Sequence, residues 1–196
     1  MIDLDSIYQS AVTQWGGSPT SFTDKGTDHD YIDFYDGIFS KDRYNKRILE
    51  IGISSGGSAW LWSKYFIESE IVCVDIADKF HTPREFQKDI TDNPYVKLLW
   101  NFDSQHSRSY LRIPGDFDYI IDDGDHSPGG QLQTLREAWT SLKQGGYYFI
   151  EDIQDWHKAQ GLLLELKNRY PEQEWKLFGG QRYPARADDL IIWCEK

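Results

Sequence analysis

Two short acidic clusters carry the residue types best suited to chemistry: Asp122-Asp123-Gly124-Asp125-His126 and Glu151-Asp152. Each ends a run rich in β-branched or aromatic residues, Phe117 to Asp122 and Tyr147 to Glu151. Consecutive strands are usually neighbours, so the two clusters are expected to meet at one end of a sheet. Carboxylates brought together repel unless a positive charge separates them, and a hard divalent cation with oxygen ligands is the simplest partner. The pattern predicts Mg²⁺ held by Asp123, Glu151 and Asp152, with His126 as general base toward a substrate hydroxyl and Asp123 beside it as the second catalytic residue. The same residues also suit solvated strand ends with a locally bonded histidine. Two clusters at corresponding strand ends favour the site.

A second constellation precedes the acids: Glu50-x-Gly52-x-x-x-Gly56-Gly57-Ser58, with Ser54 and Ser55 in the middle. Glycines let a backbone turn sharply and approach a ligand, and the helix that follows points unpaired N–H groups at it. The strict Gly-x-Gly-x-x-Gly of pyrophosphate binders is broken, and Glu50 offers an acceptor for an ammonium group. S-adenosylmethionine therefore fits better than a dinucleotide, with Gly52, Ser54, Gly56 and Ser58 as contacts. A glycine turn with only a packing role stays open, because glycine-rich matches alone are weak. Asp75 ends the next apolar run about twenty residues on, where a carboxylate can accept both ribose hydroxyls. Asn101, Phe102 and Asp103 follow the third run, placed to stack and hydrogen-bond an adenine, and Asp122 borders the same cofactor.

The elements that must position these groups alternate. Apolar runs at Arg47 to Ile51, Glu70 to Asp75, Val96 to Trp100, Phe117 to Asp122, Tyr147 to Glu151, Trp175 to Phe178 and Leu190 to Cys194 read as strands. Between them lie stretches of helical period, among them Leu132, Leu135, Trp139 and Leu142 on one stripe and Leu162, Leu163, Leu166 and Tyr170 on another. This rhythm predicts an α/β, Rossmann-like fold: a seven-stranded, mostly parallel sheet with helices on both faces. The last two strands are joined by about a dozen residues without helical period, which predicts an antiparallel hairpin with Asp188-Asp189 in its turn.

The 196 residues, 39% hydrophobic and 15% aromatic, suit a single domain with a substantial core. A formal net charge of −11 argues against nucleic acid as partner or substrate. No run of about 18 apolar residues and no signal-peptide pattern occurs, so neither a membrane partner nor export is expected and the chain reads as cytoplasmic. Cys73 and Cys194 sit in apolar strand-like runs and are expected to be reduced core residues. Trp15, Trp156 and Tyr183 are candidates for a substrate-stacking or homo-oligomer surface.

Taken together, the segments Thr23-Asp24-Lys25-Gly26-Thr27-Asp28-His29-Asp30-Tyr31, Leu49-Glu50-Ile51-Gly52 with Gly56-Gly57-Ser58, Ile121-Asp122-Asp123-Gly124-Asp125-His126 and Ile150-Glu151-Asp152 resemble class I methyltransferases. More narrowly, they resemble the metal-dependent sugar O-methyltransferases that act on macrolide antibiotics and related bacterial and phage proteins, over roughly residues 22 to 155. The resemblance implies that residues 1–40 form a helical segment covering the cofactor, giving Lys25, His29 and Tyr31 a cofactor-binding role, and that 47–196 form the core of the single domain. It also implies a metal-ligand Asp123 and a catalytic His126, although Asp125 stands where that family carries serine. The macrolide enzymes carry additional N-terminal sequence that shapes the substrate pocket, whereas this chain begins close to the cofactor segment, so a macrolide is not implied. The expected activity is O-methylation of a small hydroxylated molecule such as a sugar or glycosylated metabolite. A nicotinamide-dependent oxidoreductase using the same glycine loop, or a non-catalytic S-adenosylmethionine-binding protein, are the alternatives.

Overall fold

The apolar runs become seven strands of one sheet in the computed structural model, which describes residues 2–16, 22–27, 29–179 and 189–196. The strands are β1 (Arg47–Ile51), β2 (Glu70–Val74), β3 (Val96–Leu99), β4 (Phe117–Asp122), β5 (Leu142–Ile150), β6 (Lys176–Gly179) and β7 (Leu190–Glu195). Their spatial order is β3-β2-β1-β4-β5-β7-β6. β1 to β5 pair in parallel, while β7 runs antiparallel to both β5 and β6, as the short connection predicts.

Alternate strand residues point to opposite faces and so supply two cores. On one face Ile48, Cys73, Ile121 and Phe149 join Tyr8 of α1 (Leu4–Trp15), Tyr35 and Phe39 of α2 (Tyr31–Phe39) and Trp62 of α3 (Gly57–Tyr65). The short helix α4 (Gln87–Thr91) adds Ile90 to it. On the other face Leu49, Val72, Ile120 and Ile150 meet Leu135 of α5 (Pro128–Ala138) and Leu162 and Leu166 of α6 (Trp156–Arg169). Both cysteines are buried and unpaired. Among the described residues no helix is long and apolar enough to cross a membrane.

Leu142 departs from the helical stripe expected for it. α5 ends at Ala138, a single 3₁₀ turn covers Trp139–Ser141, and Leu142 opens β5 opposite Phe117. The strand then shifts register before Tyr147, where a Cβ on Gly146 would come within 2.9 Å of the Asp118 carbonyl oxygen. The glycine pair masks the early strand in the sequence pattern.

Register is what assembles the site. Ile51 pairs with Asp122 and Asp122 with Ile150, so the residues that follow, Gly52, Asp123 and Glu151, leave the sheet side by side. Bonds from Asp123 N to Ile51 O (2.9 Å) and Glu151 N to Asp122 O (3.0 Å) carry the ladder one residue beyond the strands. β1 lies where the chain direction of strand order reverses, the place where open α/β sheets bind ligands.

Candidate active site

The loop between β1 and α3 has positive φ at alternate residues: Gly52 (101°), Ser54 (48°) and Gly56 (87°). Gly52 must lack a side chain on two counts, since a Cβ there would lie 2.0 Å from the Asp123 carbonyl oxygen. Gly57 is constrained by close approach alone: its Cβ would lie 2.0 Å from the carbonyl oxygen of Phe22. The residues from Phe22 onward are thereby laid across the N-terminus of α3.

Between this loop, the ends of β2 and β4 and the Phe22–Asp24 strip lies a cavity of about 530 Å³. Gly52, Ser54, Ser58, Asp75, Phe102 and Asp103 line it together with Asp123, His126 and Asp152. Asp75 Oδ2 accepts from the backbone N–H groups of Ile53 (2.8 Å) and Ser54 (3.2 Å), and Oδ1 from Ala77 (2.8 Å), which fixes the carboxylate to the loop. Phe102 is buried with its ring edge-on to Tyr110. Asn101 is exposed at a left-handed turn (φ 53°) and Gly56 and Asn101 are not part of the lining.

Glu50 lies beneath the cavity rather than in it. It is fully buried, accepts from Trp62 Nε1 at 3.0 Å, and stands 3.5 Å from the Cys73 thiol. Burial pushes its carboxyl up, against the opposing charge of Lys25 and the hydrogen bonds from Ser58 and Trp62. Asp122 is likewise buried under the loop, accepting from the Tyr148 hydroxyl at 3.3 Å, and burial pushes its carboxyl well up. The other oxygen, Oδ1, has no hydrogen-bond partner among the described residues.

One atom each of Asp123, His126 and Asp152 lie within 4.8 Å of one another, a spacing that a single cation could bridge. Nδ1 of His126 is buried without a hydrogen-bond partner among the described residues. Asp152 sits in the left-handed region (φ 55°), a conformation aspartate tolerates better than most side chains and one that clusters at functional sites. Burial, with the neighbouring Asp123 charge, raises its carboxyl to about 6 even though His29 and Lys25 oppose the shift. The two carboxylates and the imidazole form a donor set that fits a hard divalent cation, and Glu151, completely buried behind them, is not one of the three. Asp125 turns away from it: Oδ1 accepts from Ser127 N and Oδ2 from Gln105 Nε2, both at 2.8 Å. The first of these bonds holds its carboxyl below the usual range.

Lys25, His29, Tyr31 and Tyr35 lie against these acids. Lys25 Nζ is buried 2.9 Å from Asp123 Oδ2 and also donates to Glu151 Oε2. Glu151 is completely buried, and its Oε1 accepts from the Tyr35 hydroxyl. Tyr31 donates its hydroxyl to Asp152 Oδ1 at 3.0 Å. His29 Nε2 lies 3.7 Å from both Asp24 and Asp152, and its Nδ1 the same distance from Asp189. Burial disfavours the imidazolium, but the neighbouring Asp24 and Asp152 carboxylates outweigh it and raise His29 to about 9.

Asp24, Tyr35 and Asp189 are thus site neighbours that the sequence reading does not identify. Tyr35 had a signal, since it lies one helical turn after Tyr31 on the same face of α2. Asp189 is buried before β7 and accepts from Asp30 N (3.3 Å), so it is a packing partner of this segment instead of an exposed turn residue. Asp28, Tyr183 and Asp188 lie outside the described residues. Trp15 packs against Phe22, Trp60 and Phe86 in an aromatic cluster, whereas Trp156 is exposed.

Comparison with known proteins shows the family. Mycinamicin VI 2''-O-methyltransferase of Micromonospora griseorubida is 31% identical over 87% of this chain and 39% of its own length. A tetracenomycin rhamnosyl 3'-O-methyltransferase of Streptomyces olivaceus is 31% identical over 64% of this chain and 32% of its own. The chain therefore spans 32% to 39% of the length of these relatives. The fold matches that of the MycE methyltransferase from the mycinamycin biosynthetic pathway, solved with Mg, SAH and mycinamycin VI. The TM-score is 0.71 at 23% identity, covering 100% of this chain and 53% of that one. Residues 49–153, more than half of the chain, match the model of a methyltransferase domain. The chain belongs to this methyltransferase domain family.

Proposed function

We propose that the chain is an S-adenosylmethionine-dependent O-methyltransferase acting on a hydroxyl of a small sugar or glycosylated metabolite, with Mg²⁺ held by Asp123, Glu151 and Asp152. The observation that carries this reading is the single cavity joining the glycine loop, Asp75 and Phe102 to Asp123, His126 and Asp152. A cofactor laid along the loop, with its ribose at Asp75 and its adenine at Phe102 and Asp103, directs its methyl-bearing end toward His126. The relatives that methylate sugar hydroxyls support the acceptor class. Residues 1–40 act as the covering segment and 47–196 as the core of one unit.

The chemistry is a displacement in which the methyl carbon leaves sulfur and forms a bond to oxygen, releasing one proton. His126, with an unpartnered ring nitrogen beside the acids, accepts that proton. Asp123 and Asp152 orient the acceptor end, and the glycine loop holds the donor, so most of the acceleration comes from placement. A divalent cation, when bound, supplies charge that lowers the pKa of the acceptor hydroxyl. Asp125 orients the His126 turn through Ser127 and Gln105.

The test is methyl transfer from labelled S-adenosylmethionine to glycosylated acceptors, with and without EDTA and in His126→Ala. Loss of transfer in both cases is expected. Transfer unchanged by metal removal and by His126→Ala would contradict the mechanism.

A further inference from the structure

The buried ammonium of Lys25 lies between two of the carboxylates proposed to hold the metal. Nζ donates to Asp123 Oδ2 at 2.9 Å and to Glu151 Oε2, and the side chain is only 2% exposed. Glu151 has no spare oxygen in this arrangement, because Oε1 accepts from Tyr35. Lys25 is the one Lys or Arg side chain bonded to these acids among the described residues.

We infer that Lys25 is an internal counter-cation that competes with the divalent metal for Asp123 and Glu151 and is expelled when the metal binds. This rests on the proposed ligand set. Nζ occupies Asp123 Oδ2 and the Glu151 oxygen that Tyr35 does not use, so a metal that takes these same oxygens must displace the ammonium from them. Expulsion matters beyond charge because Lys25 adjoins Thr23 and Asp24, which line the cavity. Metal occupancy thereby resets the segment that covers the cofactor, while Tyr31 and His29 keep it anchored near Asp152. The lysine makes metal affinity weaker than three carboxylates would give and leaves the metal-free protein folded with its acids neutralised.

The experiment measures Mn²⁺ binding to the full chain by the loss of the free-ion EPR signal, in wild type and Lys25→Met. Binding at least about tenfold tighter in Lys25→Met is expected. A purely structural lysine would give the opposite, because its loss would loosen the site. Equal or weaker binding in a folded Lys25→Met would overturn the inference alone, whereas no Mn²⁺ binding to either protein would overturn the ligand set as well. A second measurement needs no variant: amine acetylation of wild type, read by mass spectrometry. Lys25 is expected to be protected in EDTA and labelled at saturating Mg²⁺, and protection that persists with Mg²⁺ would overturn the inference.

Discussion

Lys25 Nζ stands 2.9 Å from Asp123 Oδ2, joining residues 98 positions apart and tying the covering segment to the end of β4. Removing one partner of a buried ion pair leaves the other uncompensated and costs about 3 kcal/mol or more. Lys25→Met should therefore lose about that much stability in EDTA, with a visibly smaller loss at high Mg²⁺. Urea unfolding under both conditions checks it.

The glycines separate into constrained and free positions. Gly52→Ala places a Cβ against the Asp123 carbonyl at a φ of 101° and should cost about 2 kcal/mol or more. Gly57→Ala should act on function as well, because it pushes the Phe22 carbonyl away from α3 and opens the cavity wall. S-adenosylmethionine affinity should fall about tenfold. Gly161, inside α6 with nothing within 4 Å of a new Cβ, is the control: Gly161→Ala should gain about 1 kcal/mol. Thermal melts and calorimetry of the three variants discriminate them.

For His126→Ala, kcat should fall by about 10²- to 10⁴-fold, the usual contribution of a general base. S-adenosylmethionine affinity should change by less than about threefold, since His126 faces the acceptor end of the cavity. Paired turnover and binding measurements separate the two effects, and a parallel loss of both would remove the base assignment.

Glu70 provides a pH signature away from the site. Partial burial opposes its charge, but hydrogen bonds from Lys97 and Arg47, the latter at 2.6 Å, outweigh it and hold the carboxyl below its usual 4.5. A depressed folded-state value stabilises above the unfolded value and is lost as pH falls through the folded one. Glu70→Gln should thus lose about 0.5–1 kcal/mol at neutral pH, and the gap should close as the pH falls below the carboxyl range. Unfolding free energies across that range provide the check.

The seven strands, the terminal hairpin and the meeting of the acidic clusters are legible in the sequence because each depends on local pattern and chain order. Asp123, Glu151 and Asp152 follow apolar runs, and parallel pairing does the rest. Side-chain direction is a different matter. Glu50 is a strand residue whose alternation turns it into the core beside Trp62, and nothing in a one-dimensional pattern distinguishes it from a cavity acid. Lys25, His29 and Tyr31 belong to a conspicuous motif, yet whether they face cofactor or acids depends on where the segment crosses the sheet edge. That crossing is set by contacts over very long separations, such as Gly57 under Phe22 and Asp189 under Asp30.

The cavity above Gly52 and Asp75 is proposed to hold S-adenosylmethionine, and titration calorimetry of the full chain against that cofactor and against NADH tests this most directly. One S-adenosylmethionine per chain, weakened about tenfold or more by Asp75→Ala, with no heat from NADH, is the predicted result. Binding of NADH with no response to S-adenosylmethionine would contradict it.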